Sequence, residues 1–176
     1  MRFLYHRVPK RLQGNILYPL NTLKDILPRV YAKEILKYRE RRHITGLHIP
    51  PLNCQWNDVL HLTAVHPSKI REALAKAGRD PKEESRYFQI DPHLLETEKT
   101  TVYLAAQLRS EDLEHPNNFV ACDADEIARY GELPERAFRY YRECIQKGDK
   151  PLIFKFIPHI LYQGNLDISQ AEIITV

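Results

Sequence analysis

Strand-like and helix-like segments do not alternate regularly along this chain, and that constrains its fold more than any single motif. Seven short segments have the β-branched and aromatic content of strands. They are residues 3–5 (FLY), 58–63 (DVLHLT), 86–90 (RYFQI), 100–105 (TTVYLA), 118–123 (NFVACD), 151–157 (PLIFKFI) and 171–176 (AEIITV). Helix grammar lies between them. Residues 22–42 are periodic but interrupted at Pro28, which predicts a short turn and then a helix with proline in its first turn. Residues 66–78 open on His66-Pro67, carry Ile70, Ala73, Leu74 and Ala77 on one face, and stop at Gly78. Residues 133–148 repeat the pattern with Pro134, then Phe138, Tyr141 and Ile145, then Gly148.

Without regular βα alternation, a doubly wound parallel sheet is not expected. The expectation is an α+β fold, with a mixed or split sheet of six to seven short strands and flanking helices. Its 176 residues, 43% of them hydrophobic, suffice for one domain spanning 1–176, and no Gly/Ser-rich linker divides them. No apolar run is long enough to cross a bilayer, and the N-terminus lacks the basic flank and apolar core of a secretory signal. A cytoplasmic protein without membrane partners is therefore expected. The three cysteines, Cys54, Cys122 and Cys144, form no C-x-x-C pair and read as free thiols.

Charge is unevenly distributed. Residues 1–42 hold eleven Lys and Arg against three Asp and Glu, although the whole chain is only +3. A basic first quarter suits a polyanion, either DNA or RNA or the phosphates of a dinucleotide. The plainer alternative is a solvated helix face, because KEILKYRERR mixes signs at i,i+4 spacing.

Several site classes are excluded or weak. The six glycines form neither a G-x-G-x-x-G nor a G-x-x-x-x-G-K-[ST] loop. Cys54, His61 and His66 fall within thirteen residues, but their spacing matches no zinc motif, and no metal is expected. No G-x-S-x-G elbow exists. A metal-independent RNase using His6 with His61 or His66 is conceivable on chemistry alone, since histidine serves as acid and base near neutral pH.

One constellation spans the chain. His6 follows the first strand signal in LYHRVP, Tyr103 lies within TVYLAAQ, and Glu172 opens the last strand in SQAEIIT. This order resembles the His–Tyr–Glu pattern of the ADP-ribosyltransferase superfamily. The local likeness is to DarT-type toxins that ADP-ribosylate single-stranded DNA, and it extends to NDVLHLTAVHPSKI and NFVACDAD. The resemblance implies an ADP-ribosyltransferase-like fold and an NAD-dependent glycosyltransferase activity in a toxin or defence context, with nucleic acid as acceptor and an antitoxin protein as a possible partner. Those toxins carry an arginine in the segment matching LTAVHPSKI. Here that segment offers His66, with Arg71 farther on, as acceptor contacts.

The implied chemistry suits these residue types. Breaking the N-glycosidic bond of NAD passes through an oxocarbenium-like state. Tyr103 would stack on nicotinamide, and Glu172 would hold the ribose hydroxyl and stabilise the developing charge. His6 would bond the adenosine ribose, while Arg7 or Asn21 would contact phosphate or amide. The competing expectation is a non-enzymatic nucleic-acid- or protein-binding module that uses the basic N-terminal segment.

Overall fold

The computed structural model describes residues 3–79, 83–105 and 112–176. Among them the chain is mixed α+β, with five α-helices and eleven short strands in several small sheets. The first strand, β1 (Leu4–Arg7), is followed by β2 (Ile16–Leu17). Two helices come next, α1 (Leu20–Ile26) and α2 (Pro28–Glu34). Pro28 sits in the first turn of α2, where a missing N–H costs nothing. The helix expected to run to residue 42 is instead broken. A 3-10 turn at Ile35–Tyr38 and the four-residue α3 (Arg42–Thr45) replace its second half. The basic run there offers little apolar surface to bury, and Leu36 stays 58% exposed.

A short hairpin, β3 (His48–Ile49) with β4 (Cys54–Gln55), leads into a 3-10 turn at Trp56–Asp58 and then β5 (Leu60–Leu62). Helix α4 (Pro67–Lys76), β6 (Arg86–Ile90), β7 (Thr100–Tyr103) and β8 (Phe119–Ala121) follow. The last elements are α5 (Glu135–Gln146), β9 (His159–Tyr162), β10 (Leu166–Asp167) and β11 (Glu172–Thr175). Gly78 and Gly148 end α4 and α5 with φ of +100° and +79°, the left-handed conformation that favours glycine at a helix stop.

Two sheets dominate. One has the order β1-β6-β11, the other β5-β9-β7-β8, and every pairing among the described residues is antiparallel. The sheet is therefore split but not mixed. The two sheets touch through one isolated bridge, Tyr5 to Thr63, whose reciprocal N–H···O bonds measure 2.8 and 3.1 Å. The strand expected at 151–157 is absent. Residues 153–157 turn instead, Phe156 takes a positive φ of 63°, and the strand begins two residues later, at His159.

That late strand, β9, is central. Its Ile160 is fully buried with Val102, Leu62 and Leu4 in the largest core, while Leu161 packs on the other side with Tyr103, Phe119 and Ile49. A third cluster joins α4 to α5 through Ile70, Ala73, Leu74, Ala137 and Tyr141, whose hydroxyl donates to the Ile153 carbonyl. Ile160→Ala removes buried methyls at the point where the strands meet. It should lower unfolding free energy by about 2–5 kcal/mol in urea titration, whereas Ile26→Ala on the exposed face of α1 should cost well under 1 kcal/mol.

Candidate functional site

Beyond the Tyr5–Thr63 bridge, β1 and β5 no longer pair, and their continuations line one side each of a cavity of about 650 Å³. Helices α1 and α2 and the turn after them close it with Leu23, Val30 and Tyr38. The chain folds this way locally because Pro9 and Pro19 flank the 10–18 segment and carry β1 away from its neighbour toward the helices.

The wall is strongly cationic. Among the described residues Arg7, Lys10, Arg11, Lys33 and Lys37 line the cavity, against a single carboxylate, Glu34. Glu34 is held by Arg11 at 3.2 Å and by Lys37 at 3.8 Å. Three histidines, His6, His61 and His159, also line it.

All three imidazoles are neutral at pH 7. Burial pushes the pKa of His6 down to about 4; the Arg7 backbone opposes this, and the Lys37 charge adds to it. Burial also takes His61 to about 3, reinforced by neighbouring His159, while its bond to the Trp56 backbone opposes the shift. His159 falls to about 4, again through burial, and the Phe154 backbone resists. His61 Nε2 lies 2.9 Å from the Trp56 carbonyl oxygen. A carbonyl can only accept, so Nε2 carries the proton and Nδ1 is the basic nitrogen of His61. Its ring lies 4.7 Å from the Trp56 ring and 5.9 Å from His159.

Among the described residues, two buried side-chain polar atoms lack a hydrogen-bond partner, His6 Nδ1 and Asn57 Oδ1, and both residues line this cavity. The turn that carries Asn57 is firmly held. Asp58 accepts from the Gln55 N–H and from Asn21 Nδ2, each at 2.7 Å, and the Trp56 N–H donates to Leu47.

The expected site residues are distributed as follows. His6 lines the cavity, whereas Arg7 borders it from the next position of β1 and turns its guanidinium to Ser85 Oγ, 3.2 Å away at the second cavity. Asn21 does not line it and instead braces the Trp56–Asp58 turn through Asp58. Tyr103 is buried one layer behind, stacked 6.3 Å from His159 and edge-on to Trp56 at 5.3 Å. Glu172 is not in the cavity. Directly opposed residues of an antiparallel pair share a face, and neighbours along a strand alternate. Tyr5, Gln89 and Glu172 form one row across β1-β6-β11, and His6, Phe88 and Ile173 form the next. Glu172 therefore projects from the face opposite His6, exposed, where it accepts from Gln89 Nε2 at 3.2 Å.

His66 caps α4. Its Nδ1 accepts from the Ser68 N–H at 3.2 Å, and its ring meets Tyr5 edge-on. Arg71 lines a second cavity of about 500 Å³ together with Arg79 and Lys150, and Arg7 borders both cavities. The cleft residues that sequence reasoning did not assign include Lys37 and Asn57. No local motif marks them. His61, weighed for metal and for acid–base work, stands beside His6 in the cleft. Among the described residues no three His, Cys, Asp or Glu side chains converge to hold a metal ion. Cys54 and Cys122 are buried free thiols with pKa values raised by burial to about 11.

No family model, curated protein or solved structure matches the chain. The candidate site therefore rests on its own geometry.

The depressed histidines make stability depend on pH. Their unfolded pKa is near 6.5, so between about pH 6.5 and pH 4 the unfolded chain binds more protons than the native one. The stability contributed by these three neutral histidines is fully present above pH 6.5 and declines as the pH falls. In NMR titration the His6, His61 and His159 rings should remain neutral at pH 5.5.

Proposed function

We propose that the β1–β5 cleft is a nucleotide site and that the chain is an NAD-dependent ADP-ribosyltransferase. The single observation that carries the reading is the placement of His6, on the first strand, in a cavity where Lys10, Arg11, Lys33 and Lys37 stand against one carboxylate, Glu34. A pyrophosphate brings two negative charges that Lys10 and Arg11 are placed to meet, and it would compete with Glu34 for Arg11 and Lys37. Tyr38 and Phe154 supply flat apolar surface for a base or ring. A split antiparallel architecture with the first and last strands in one sheet is compatible with an ADP-ribosyltransferase-like fold.

In this reading donor binding and transfer are separable. Strand β11 lies two strands from β1, about 10 Å away at normal strand spacing, and Glu172 faces away from the cleft. The cleft residues hold the ADP half, and Glu172 serves the nicotinamide ribose only if that end of NAD reaches the β11 edge. The proposed acceptor is nucleic acid, drawn to the basic first 42 residues, and a toxin role with a protein antitoxin belongs to the same proposal.

NAD at about 100 times its Kd should raise the unfolding free energy by roughly 2.7 kcal/mol. Lys37→Ala and Arg11→Ala together should weaken binding at least tenfold and flatten its salt dependence. Glu172→Gln should leave NAD binding unchanged and abolish ADP-ribose transfer. Absence of any NAD-induced thermal shift at millimolar concentration would sink the donor assignment, and undiminished transfer by Glu172→Gln would remove the carboxylate from the mechanism.

A second reading is favoured by one observation: His6 and His61 line the same cleft, whereas His66 is occupied as a helix cap. Two histidines in one cleft can supply the acid–base pair that RNA cleavage without a metal needs, provided that a bound phosphate raises the pKa values that burial holds down. This reading predicts that RNA is cut in excess chelator, and that His6→Ala and His61→Ala each lower the rate at least a hundredfold. Intact RNA after prolonged incubation would dismiss it.

A further inference from the structure

Buried polar atoms in folded proteins are almost always hydrogen-bonded, so each exception calls for a partner. Here both exceptions among the described residues, His6 Nδ1 and Asn57 Oδ1, belong to residues of the same cleft. Asn57 is 2% exposed, and its turn is braced on either side by the Asp58 and Trp56 bonds, so its backbone has little freedom to move away. An amide oxygen can only accept, so the missing partner must be a donor. The cations of the cleft are long side chains that emerge from β1, the segment after it, α2 and the turn at Ile35–Tyr38, and among the described residues none donates to Asn57 Oδ1.

We propose that Asn57 recognises an amino group on a planar ring or its carboxamide, while the cations of the cleft hold the phosphates of the same ligand. His6 Nδ1 supplies a second polar contact in the cleft, as donor or acceptor according to its tautomer. This inference rests on the nucleotide reading of the cleft and names what that reading leaves open, the polar edge by which the ligand is selected. In NAD two groups have this chemistry, the N6 amino group of adenine and the amide NH2 of nicotinamide. Both atoms are sealed from bulk water, so ligand entry includes a turn of the Asn57 amide and the His6 ring about their terminal torsions, which are soft.

A site built to accept a hydrogen bond rejects an analogue that lacks the donor, because the acceptor is then left buried and unpaired. The test is calorimetric titration of the full chain with three ligands. These are NAD, its hypoxanthine analogue (N6 amino group replaced by oxygen) and its 3-acetylpyridine analogue (amide NH2 replaced by methyl). One analogue should bind roughly tenfold to a hundredfold more weakly than NAD, and its identity reports which end of NAD meets Asn57. Asn57→Leu should abolish that discrimination, and Asn57→Asp, which keeps an acceptor, should retain it.

Thermal stability without ligand separates recognition from architecture. Replacing an unpaired acceptor by an apolar side chain of similar size should leave the melting temperature unchanged or raise it. A structural asparagine would show a clear fall. Binding of NAD with equal affinity for all three ligands would overturn the inference while leaving the nucleotide reading in place. No binding of NAD would overturn both. If Asn57→Leu fails to fold, the role assigned to Asn57 is wrong, and the wild-type comparison still decides whether an amino group is read.

Discussion

The pair of backbone hydrogen bonds between Tyr5 and Thr63 is the joint on which the rest depends. It is the point at which β1, the edge of one sheet, meets β5, the edge of the other. Had the pairing continued, the two sheets would form one surface and their edges would be satisfied by each other. Because it stops after a single bridge, β1 and β5 separate, and the space between them is covered by α1 and α2 rather than filled by a ladder. The cleft is a consequence of that interrupted pairing. It brings the basic segment that follows β1 opposite the residues that precede β5.

The cleft combines features that are costly alone. Burial keeps three imidazoles from protonating, and the Lys37 charge adds to this at His6 and His61, so the positive potential comes from lysine and arginine side chains that reach in from its wall. An anion entering the site would be favoured by those cations and would make protonation of the histidines easier. Glu34 supplies a negative charge beside the cations through its contacts with Arg11 and Lys37. Trp56 and Tyr103 stand behind this surface and pack against the His61 and His159 rings. Tyr103 is thus a supporting residue of the cleft rather than part of its surface.

Much of the fold was legible locally. Proline-start and glycine-stop signals located α4 and α5 to within about two residues, because helix ends are governed by backbone constraints that act within one turn. β6, β7, β8 and β11 were found from β-branched and aromatic runs. The segment around 151–162 misled because PLIFKFI is as apolar as HILY. Only the choice of which one inserts between β5 and β7 makes the second the strand. The 22–42 helix was overextended because its periodicity says nothing about whether a second layer exists for Leu36 to pack against.

The sequence by itself determined the segment types, the basic first quarter and the presence of a histidine at the end of the first strand, since these depend on composition and short-range stereochemistry. It did not determine which residues face one another. His6 and Glu172 share a sheet yet project from opposite faces, because register across β6 shifts them by one residue, and one residue in a strand reverses a side chain. His61, His159 and Asn57 reach the cleft with His6 through pairings that span most of the chain. Such contacts follow from how the sheets divide, which is settled only when the whole core is packed.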